Sequence, residues 1–287
     1  MNSVLSKLFI GSKREAFENI MHAYHRKGYA IVHYLYFANI TGKKLFDNYT
    51  VSFEKEQFKE ALKDDYKILS KAVISTAYKQ ALLDGDLVLP DGIALQIFYR
   101  MAWKLKKLTT KRPRLENLNG TDFTIEFLDW LYASANPDSV QLVLYGTYPG
   151  ILEKTKSFLT EKGYYIAYSQ DGYTNFDWDQ LDEIMKKNKR KHTILIIART
   201  TPEYPIQEIW SWSNKEKIKQ RKLIVFTQGG TFDFWAGIQK RAPRLWRTYK
   251  LEWLWRLITN PKRNYKKVLD SILIIKYIFS YLLLKNK

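Results

Sequence analysis

Short apolar runs recur along the chain, and amphipathic stretches separate them. Residues 30–37 (AIVHYLYF), 87–89, 140–144 (VQLVL), 164–168 (YYIAY), 193–197 (TILII) and 222–226 (KLIVF) read as strands. Several are unbroken Val/Ile/Leu runs, as in strands covered on both faces. Helical spacing fills the gaps at 54–63, 76–83, 93–108, 122–133, 151–162, 179–189 and 206–220. Strand followed by helix, repeated, requires crossover connections. The pattern predicts an α/β protein with a mostly parallel sheet flanked by helices. The alternation stops after residue 226, and the remaining chain is helical, aromatic and basic. Three regions result: an N-terminal extension at 1–25, an α/β core at 26–240 and a C-terminal appendage at 241–287.

The last stretch, 265–287 (YKKVLDSILIIKYIFSYLLLKNK), sharpens this division. On a helix, Val268, Ile272, Ile275, Phe279 and Leu282 share one face. Lys266, Asp270, Tyr277, Ser280 and Tyr281 occupy the other. Asp270 and Lys276 interrupt a run already short of the roughly 20 apolar residues a membrane span needs. The segment is expected to lie in a membrane interface rather than cross it. Packing against another subunit is the competing reading.

Charge changes the picture next. The formal net charge is +18, which points to an anionic partner: nucleic acid, an anionic membrane face or phosphorylated substrates. Residues 238–287 hold 13 Lys or Arg against two acids, Glu252 and Asp270. The excess is therefore concentrated at the C-terminal end, where Trp246, Trp253 and Trp255 accompany it. Cysteine is absent, which excludes a disulfide scaffold, a thiolate metal site and a cysteine nucleophile. The first 20 residues lack the apolar run of about 7–15 residues that marks a secretion signal, so a cytoplasmic location is expected.

In open parallel sheets, ligands bind beyond the carboxyl ends of the strands. The loops directly after strands are therefore the places for chemistry. After 87–89 comes PDG: Pro90 is expected to end the strand, with Asp91 at the tip and Gly92 turning into a helix. Asp91 reads either as an N-cap or as a carboxylate presented for general base work. After 140–144, Gly146 and Gly150 bracket a turn whose N–H groups could hold a phosphate, although a plain turn has the same signature. Gly120 and Asp122 precede another helix, where a cap is the default reading. Asp84 and Asp86 form an Asp-x-Asp pair of the kind that holds a divalent ion on a nucleotide sugar. They stand before their strand, the wrong end for a ligand site. The four histidines show no convincing metal spacing. No G-x-S-x-G, G-x-x-x-x-G-K-[ST] or G-x-G-x-x-G occurs.

In order along the chain come ALLDGDLVLPDGI (81–93), NGTDF (119–123), YGTYPG (145–150), DGY (171–173), PIQE (205–208), GGTFDFWAG (229–237), KRAP (240–243), LEWLWRL (251–257) and NPKR (260–263). Taken together they resemble the WecG/TagA/CpsF glycosyltransferases of bacterial cell-surface polysaccharide synthesis. The resemblance covers roughly residues 81–263 and implies a Rossmann-like core. It also implies transfer of a sugar, N-acetylmannosamine or a related hexose, from a UDP-sugar to a polyprenyl-diphosphate-linked acceptor. That reaction would run at the inner face of the cell membrane, with inversion and without metal or other cofactor. The motif carboxylate that acts as base falls on Asp91. Donor-binding positions fall on Gly92, Asn117, Gly120, Asp122, Gly146, Gly150, Gln207, Glu208, Gly229, Gly230 and Asp233. Asn117 stands where the family often has Arg, with Arg112 and Arg114 nearby. Arg241, Arg244, Arg247, Arg256, Lys262 and Arg263 are the cations expected to meet acceptor phosphates at the membrane, with the Trp residues at the interface. Two alternatives compete: a basic nucleic-acid-binding protein, since cations mixed with aromatics are its footprint too, and a metal-dependent glycosyltransferase using Asp84 and Asp86.

Overall fold

The computed structural model describes residues 2–36, 71–105, 116, 118–199 and 206–243, and beyond them 245, 246, 249, 251–259, 261, 265 and 269. Helices α1 (Asn2–Lys7) and α2 (Lys13–Lys27) lead into β1 (Ala30–Tyr36). A capping box starts α2. Ser12 Oγ accepts from the Glu15 N–H, and Glu15 Oε2 accepts from the Ser12 N–H at 2.6 Å. There follow α3 (Lys71–Asp84), β2 (Leu87–Asp91), α4 (Ile93–Lys104), α5 (Gly120–Ser134), β3 (Val140–Gly146), α6 (Pro149–Glu161), β4 (Ile166–Gln170), α7 (Trp178–Asn188) and β5 (His192–Ala198). The described chain closes with α8 (Ile206–Ser213), α9 (Lys215–Gln220), β6 (Leu223–Thr227), α10 (Thr231–Trp235) and α11 (Glu252–Thr259). The predicted helix at 54–63 and most of the predicted terminal helix lie outside the described residues.

The six strands form one parallel sheet in the order β2-β1-β6-β5-β3-β4. Alternate side chains of each strand feed two separate cores. Val32, Leu142, Leu144, Ile194, Ile196 and Phe226 pack under α2, α5, α6 and α10. Ile31, Leu35, Val143, Leu195, Ile197 and Val225 pack under α1, α3, α4, α7, α8 and α9. Burial on both faces is why these strands read as continuous apolar runs rather than alternating ones.

Three differences from the sequence expectation have a clear physical cause. β4 starts two residues late, because Tyr164 is held by the helices: its hydroxyl donates to Asp129 Oδ1 at 2.5 Å and its ring meets Tyr132 edge-on. The helix expected over 206–220 breaks at Asn214, whose Nδ2 donates to the Trp210 carbonyl at 3.0 Å alongside Ser213 Oγ. β2 runs through Pro90 to Asp91, paired with Tyr36, instead of stopping at the proline. An outermost strand tolerates the missing N–H.

The helices set the crevices. α6 leaves β3 on one face and α8 follows β5 on the other, so the neighbouring ends of β3 and β5 open a switch point. The ends of β1 and β6 open a second, with α3 and α10 on opposite faces. Ligand sites of open parallel sheets sit at such points.

Candidate active site

Asp91 is the last residue of β2, opposite Tyr36 at the end of β1. The N-cap of α4 is Gly92, not Asp91, and no side chain caps that helix. Of the two readings left open for Asp91, the cap is therefore removed. Gly92 has φ +85°, and a Cβ there would stand 3.3 Å from the Tyr36 ring. Glycine at this point makes the sharp exit that leaves Asp91 at the sheet edge.

Beside it, at the ends of β1 and β6, lies a buried polar cluster. Tyr34 Oη and Thr124 Oγ1 are 3.3 Å apart, and Gln228 Nε2 donates to Thr124 Oγ1 and, at 3.4 Å, to Tyr34 Oη. Burial pushes the Tyr34 hydroxyl far above the ordinary phenol range, and the charge of Asp91 adds to that shift. Asp91 and the cluster therefore share one electrostatic neighbourhood. Gly120, the first residue of α5, lies over the cluster: a Cβ there would meet Gln228 and Tyr34 at 3.5 Å.

The N-terminus of α5 also anchors the appendage. Asn119 caps the helix by accepting from the Asp122 N–H at 3.1 Å. Arg241 donates to Asp122 Oδ1 at 2.5 Å, to Asn119 Oδ1 at 3.1 Å and to Glu252 Oε1 at 2.9 Å, and stacks over Phe234. Arg241 is thus a clamp between α5 and α11. Asp233 accepts from Gln239 Nε2 at 2.9 Å in the turn leading to that clamp.

The β3–β5 crevice is built differently. Gly146 has φ +135°, and a Cβ would lie 2.3 Å from the Ala198 carbonyl oxygen, so only glycine fits. Thr147 N–H donates to that same carbonyl at 3.2 Å, and Gly172 N–H donates to Thr147 O at 2.9 Å. With Pro149 lacking an N–H and Ile151 N–H bonded to Tyr148 O, much of this turn's donor capacity is used internally. Gly150 opens onto free space. Tyr148 and Tyr173 stack on each other here, ring centroids 4.6 Å apart, both 60 % exposed. Arg199, buried at the end of β5, donates to Tyr145 Oη at 2.8 Å. On the first turn of α8, Gln207 Nε2 donates to Glu208 Oε1 at 3.0 Å, and both residues are buried. Gly229 and Gly230 form the turn between β6 and α10.

Asp84 and Asp86 lie at the opposite end of the sheet with their carboxylates occupied. Lys215 Nζ donates to both oxygens of Asp84, at 2.6 and 2.7 Å. Asp86 accepts from Lys27 Nζ at 2.6 Å and from the Ile31 N–H at 2.9 Å. The pair thus stands away from the ligand-binding edge, with both carboxylates engaged by lysines. Asn117, Arg244, Arg247, Lys262 and Arg263 fall outside the described residues; Arg256 falls within α11. Sequence reasoning passed over Tyr34, Thr124, Gln228, Arg199, Tyr148 and Tyr173. Of these, Tyr148 and Tyr173 lie in motifs with a signal of their own, YGTYPG at 145–150 and DGY at 171–173, and no spacing rule singles out a lone Gln or Arg at a strand end.

The model of the glycosyl transferase WecG/TagA/CpsF family matches residues 30–287. The chain belongs to that family. It is a glycosyltransferase, and the family match extends the resemblance from the motif-bearing middle of the chain over nearly all of it. Among curated proteins it is similar to the N-acetylglucosaminyldiphosphoundecaprenol N-acetyl-beta-D-mannosaminyltransferase of Bacillus spizizenii. The two are 26% identical over 221 residues, which is 74% of each chain. For this WecG/TagA/CpsF member, the site at the carboxyl ends of the strands is where the transfer chemistry has to be sought. No helix among the described residues is long and apolar enough to cross a membrane.

Proposed function

We propose that the protein transfers N-acetylmannosamine, or a closely related hexose, from its UDP derivative to a lipid-diphosphate-linked sugar at the inner membrane face. The observation that carries this reading is Asp91: a carboxylate at the end of β2, on the ligand-binding edge of the sheet and not used as a helix cap. The acceptor hydroxyl oxygen forms a bond to the anomeric carbon as the bond from that carbon to the diphosphate breaks. UDP leaves with the bonding electrons, and the hydroxyl proton passes to Asp91. Attack from the face opposite UDP inverts the anomeric centre.

The leaving diphosphate needs positive charge. Arg199 at the β3–β5 crevice is one source, and Arg244, Arg247, Arg256, Lys262 and Arg263 of the appendage are others. No metal is required in this scheme. The stacked, exposed Tyr148–Tyr173 pair offers a flat aromatic surface for the uracil base beside the Gly146 turn. Leu245, Tyr249, Trp253 and Ile258 are exposed on the appendage, between 42 and 71 %. Apolar and aromatic groups interleaved with cations suit the surface of an anionic membrane, where the acceptor lipid resides.

A thermal-shift panel of UDP, UDP-N-acetylmannosamine, UDP-N-acetylglucosamine and UDP-glucose, repeated with chelator, tests the donor. A ligand that binds only the folded state raises the melting temperature. A shift with UDP-N-acetylmannosamine that survives chelation is expected. No shift with any UDP compound, together with salt-sensitive oligonucleotide binding, would favour the nucleic-acid alternative instead.

A further inference from the structure

We propose that Gln228 sets sugar specificity: its buried amide oxygen accepts a hydrogen bond from a neutral donor on the transferred sugar. The inference rests on the glycosyl-transfer reading above. Gln228 follows β6 directly, and its own N–H donates to the Ile197 carbonyl at 2.7 Å, which fixes the backbone. The side chain is 2 % exposed. Its nitrogen end is held by the Tyr34 and Thr124 hydroxyls. Its oxygen Oε1 has no hydrogen-bond partner among the described residues.

A buried amide left half-paired is costly, and folded proteins avoid it. The contrast within this sheet is direct. Gln141, near the start of β3 and equally buried, has both ends satisfied: Nε2 donates to Thr193 Oγ1 at 2.9 Å and Oε1 accepts from Asn188 Nδ2 at 3.1 Å. Turning the Gln228 amide over would only exchange the orphan, leaving an N–H without an acceptor. The orphan therefore belongs to the site, not to the side-chain placement. It also lies where a sugar must come. The cluster sits at the β1–β6 switch point, within the field of Asp91, and Gly120 packs against it: a Cβ there would meet the Gln228 side chain at 3.5 Å. Tyr34 and Thr124 are neutral, and so is Gln228. That suits a hydroxyl or an amide N–H and not a phosphate. The reader of the sugar is thereby separated from the cations that meet the diphosphate.

Two variants of the full-length protein test this. Gln228→Met keeps the shape and removes the acceptor. Gly120→Ala keeps Gln228 and places a methyl over its amide at ordinary contact distance, 3.5 Å. Titration calorimetry is run with UDP, UDP-N-acetylmannosamine and UDP-mannose, and melting is recorded without ligand. UDP affinity is expected to change less than about twofold in both variants. UDP-N-acetylmannosamine is expected to weaken by about fivefold or more, the range set by one neutral hydrogen bond. The melting temperature of Gln228→Met should change little: the bonds from Nε2 to Thr124 and Tyr34 are lost together with the unpaired oxygen, and the two hydroxyls keep each other as partners. If only UDP-N-acetylmannosamine weakens, the donor is its amide N–H; if UDP-mannose weakens equally, it is a hydroxyl. Gln228→Met that keeps the full wild-type preference for UDP-sugar over UDP overturns the proposal. So does equal weakening of UDP and UDP-sugar, which would make the residue a nucleotide or structural one. A wild type that binds none of the three ligands sinks the glycosyl-transfer reading itself.

Discussion

The two ends of the parallel sheet put the same residue types to different uses. At the amino ends of the strands, most of these polar groups are closed into pairs: Asp84 with Lys215, Asp86 with Lys27 and the Ile31 N–H, Gln141 with Thr193 and Asn188; His192 Nδ1 at the start of β5 is the exception, buried without a partner among the described residues. Arg190 is likewise fastened to the Pro137 and Val140 carbonyls and lies over the Tyr165 ring. At the carboxyl ends, Gln207 Oε1 and Gln228 Oε1 are buried and unpaired among the described residues, Asp91 stands at a strand terminus without capping a helix, and two tyrosines stack in the open. An Asp at one end is mortar; an Asp at the other is presented on the ligand-binding edge. Residue type alone does not separate them, and strand direction does.

The contrast is most vulnerable at Asp91. Asp91→Asn should lower transfer by about 10²- to 10⁴-fold, the usual range for a general base, while melting temperature and UDP binding stay near wild type. A variant that keeps more than about a tenth of wild-type turnover, a loss below roughly 1.4 kcal/mol in barrier, would remove Asp91 from the mechanism.

In the middle of the sheet, acid should act on stability through His33. His33, buried on β1 with Nδ1 2.9 Å from Thr227 Oγ1, has its pKa lowered to about 4, chiefly by burial; Lys7 adds to the shift while Asp84 and a backbone bond to Ala81 oppose it. The unfolded chain takes up this proton near pH 6.5 and the folded chain only near 4. Stability is therefore intact above about 6.5 and falls as the pH drops toward 4, by about 3 kcal/mol in all. Denaturant titrations of wild type and His33→Gln at pH 7 and 4.5 check this. The pH-dependent loss should shrink in the variant.

Asp86→Ala should cost about 2 kcal/mol, because the Ile31 N–H and Lys27 lose their acceptor. Turnover per folded molecule should not change. Reduced turnover with unchanged stability would mean that the amino end of the sheet takes part in function. The smallest effect is expected at the clamp. Arg241→Gln should cost about 1 kcal/mol of stability, loosen α11 as seen by faster exchange of its amides, and weaken transfer to a vesicle-borne acceptor more than UDP binding.

Much of the fold was legible in the sequence because doubly covered strands write themselves as Val/Ile/Leu runs. All six strands are legible, and only β4 is displaced by more than one residue, where Tyr164 and Tyr165 look like strand but precede it and Tyr164 is pinned by Asp129. Pro90 was read as a stop because sequence does not reveal that β2 is outermost. At the site, glycine signals located Gly92 and Gly146, whose backbone angles demand glycine. The Tyr34–Thr124–Gln228 cluster could not be read, because it assembles from β1, α5 and the end of β6, residues about 90 and 190 apart in sequence. Arg241 read as a phosphate ligand from its basic neighbourhood, and only the fold shows Asp122 and Glu252 on either side of it.

Everything proposed for this protein requires that ligand bind at the carboxyl ends of the strands and not at the amino ends. Hydrogen–deuterium exchange of the full chain with and without UDP-N-acetylmannosamine distinguishes the two. Protection is expected in peptides spanning 89–95, 119–124, 145–151, 170–174 and 227–233. Peptides spanning 26–31, 84–87, 138–142 and 189–193 should exchange as they do without ligand. Protection confined to the second group would place the ligand at the wrong end of the sheet and overturn the assignment.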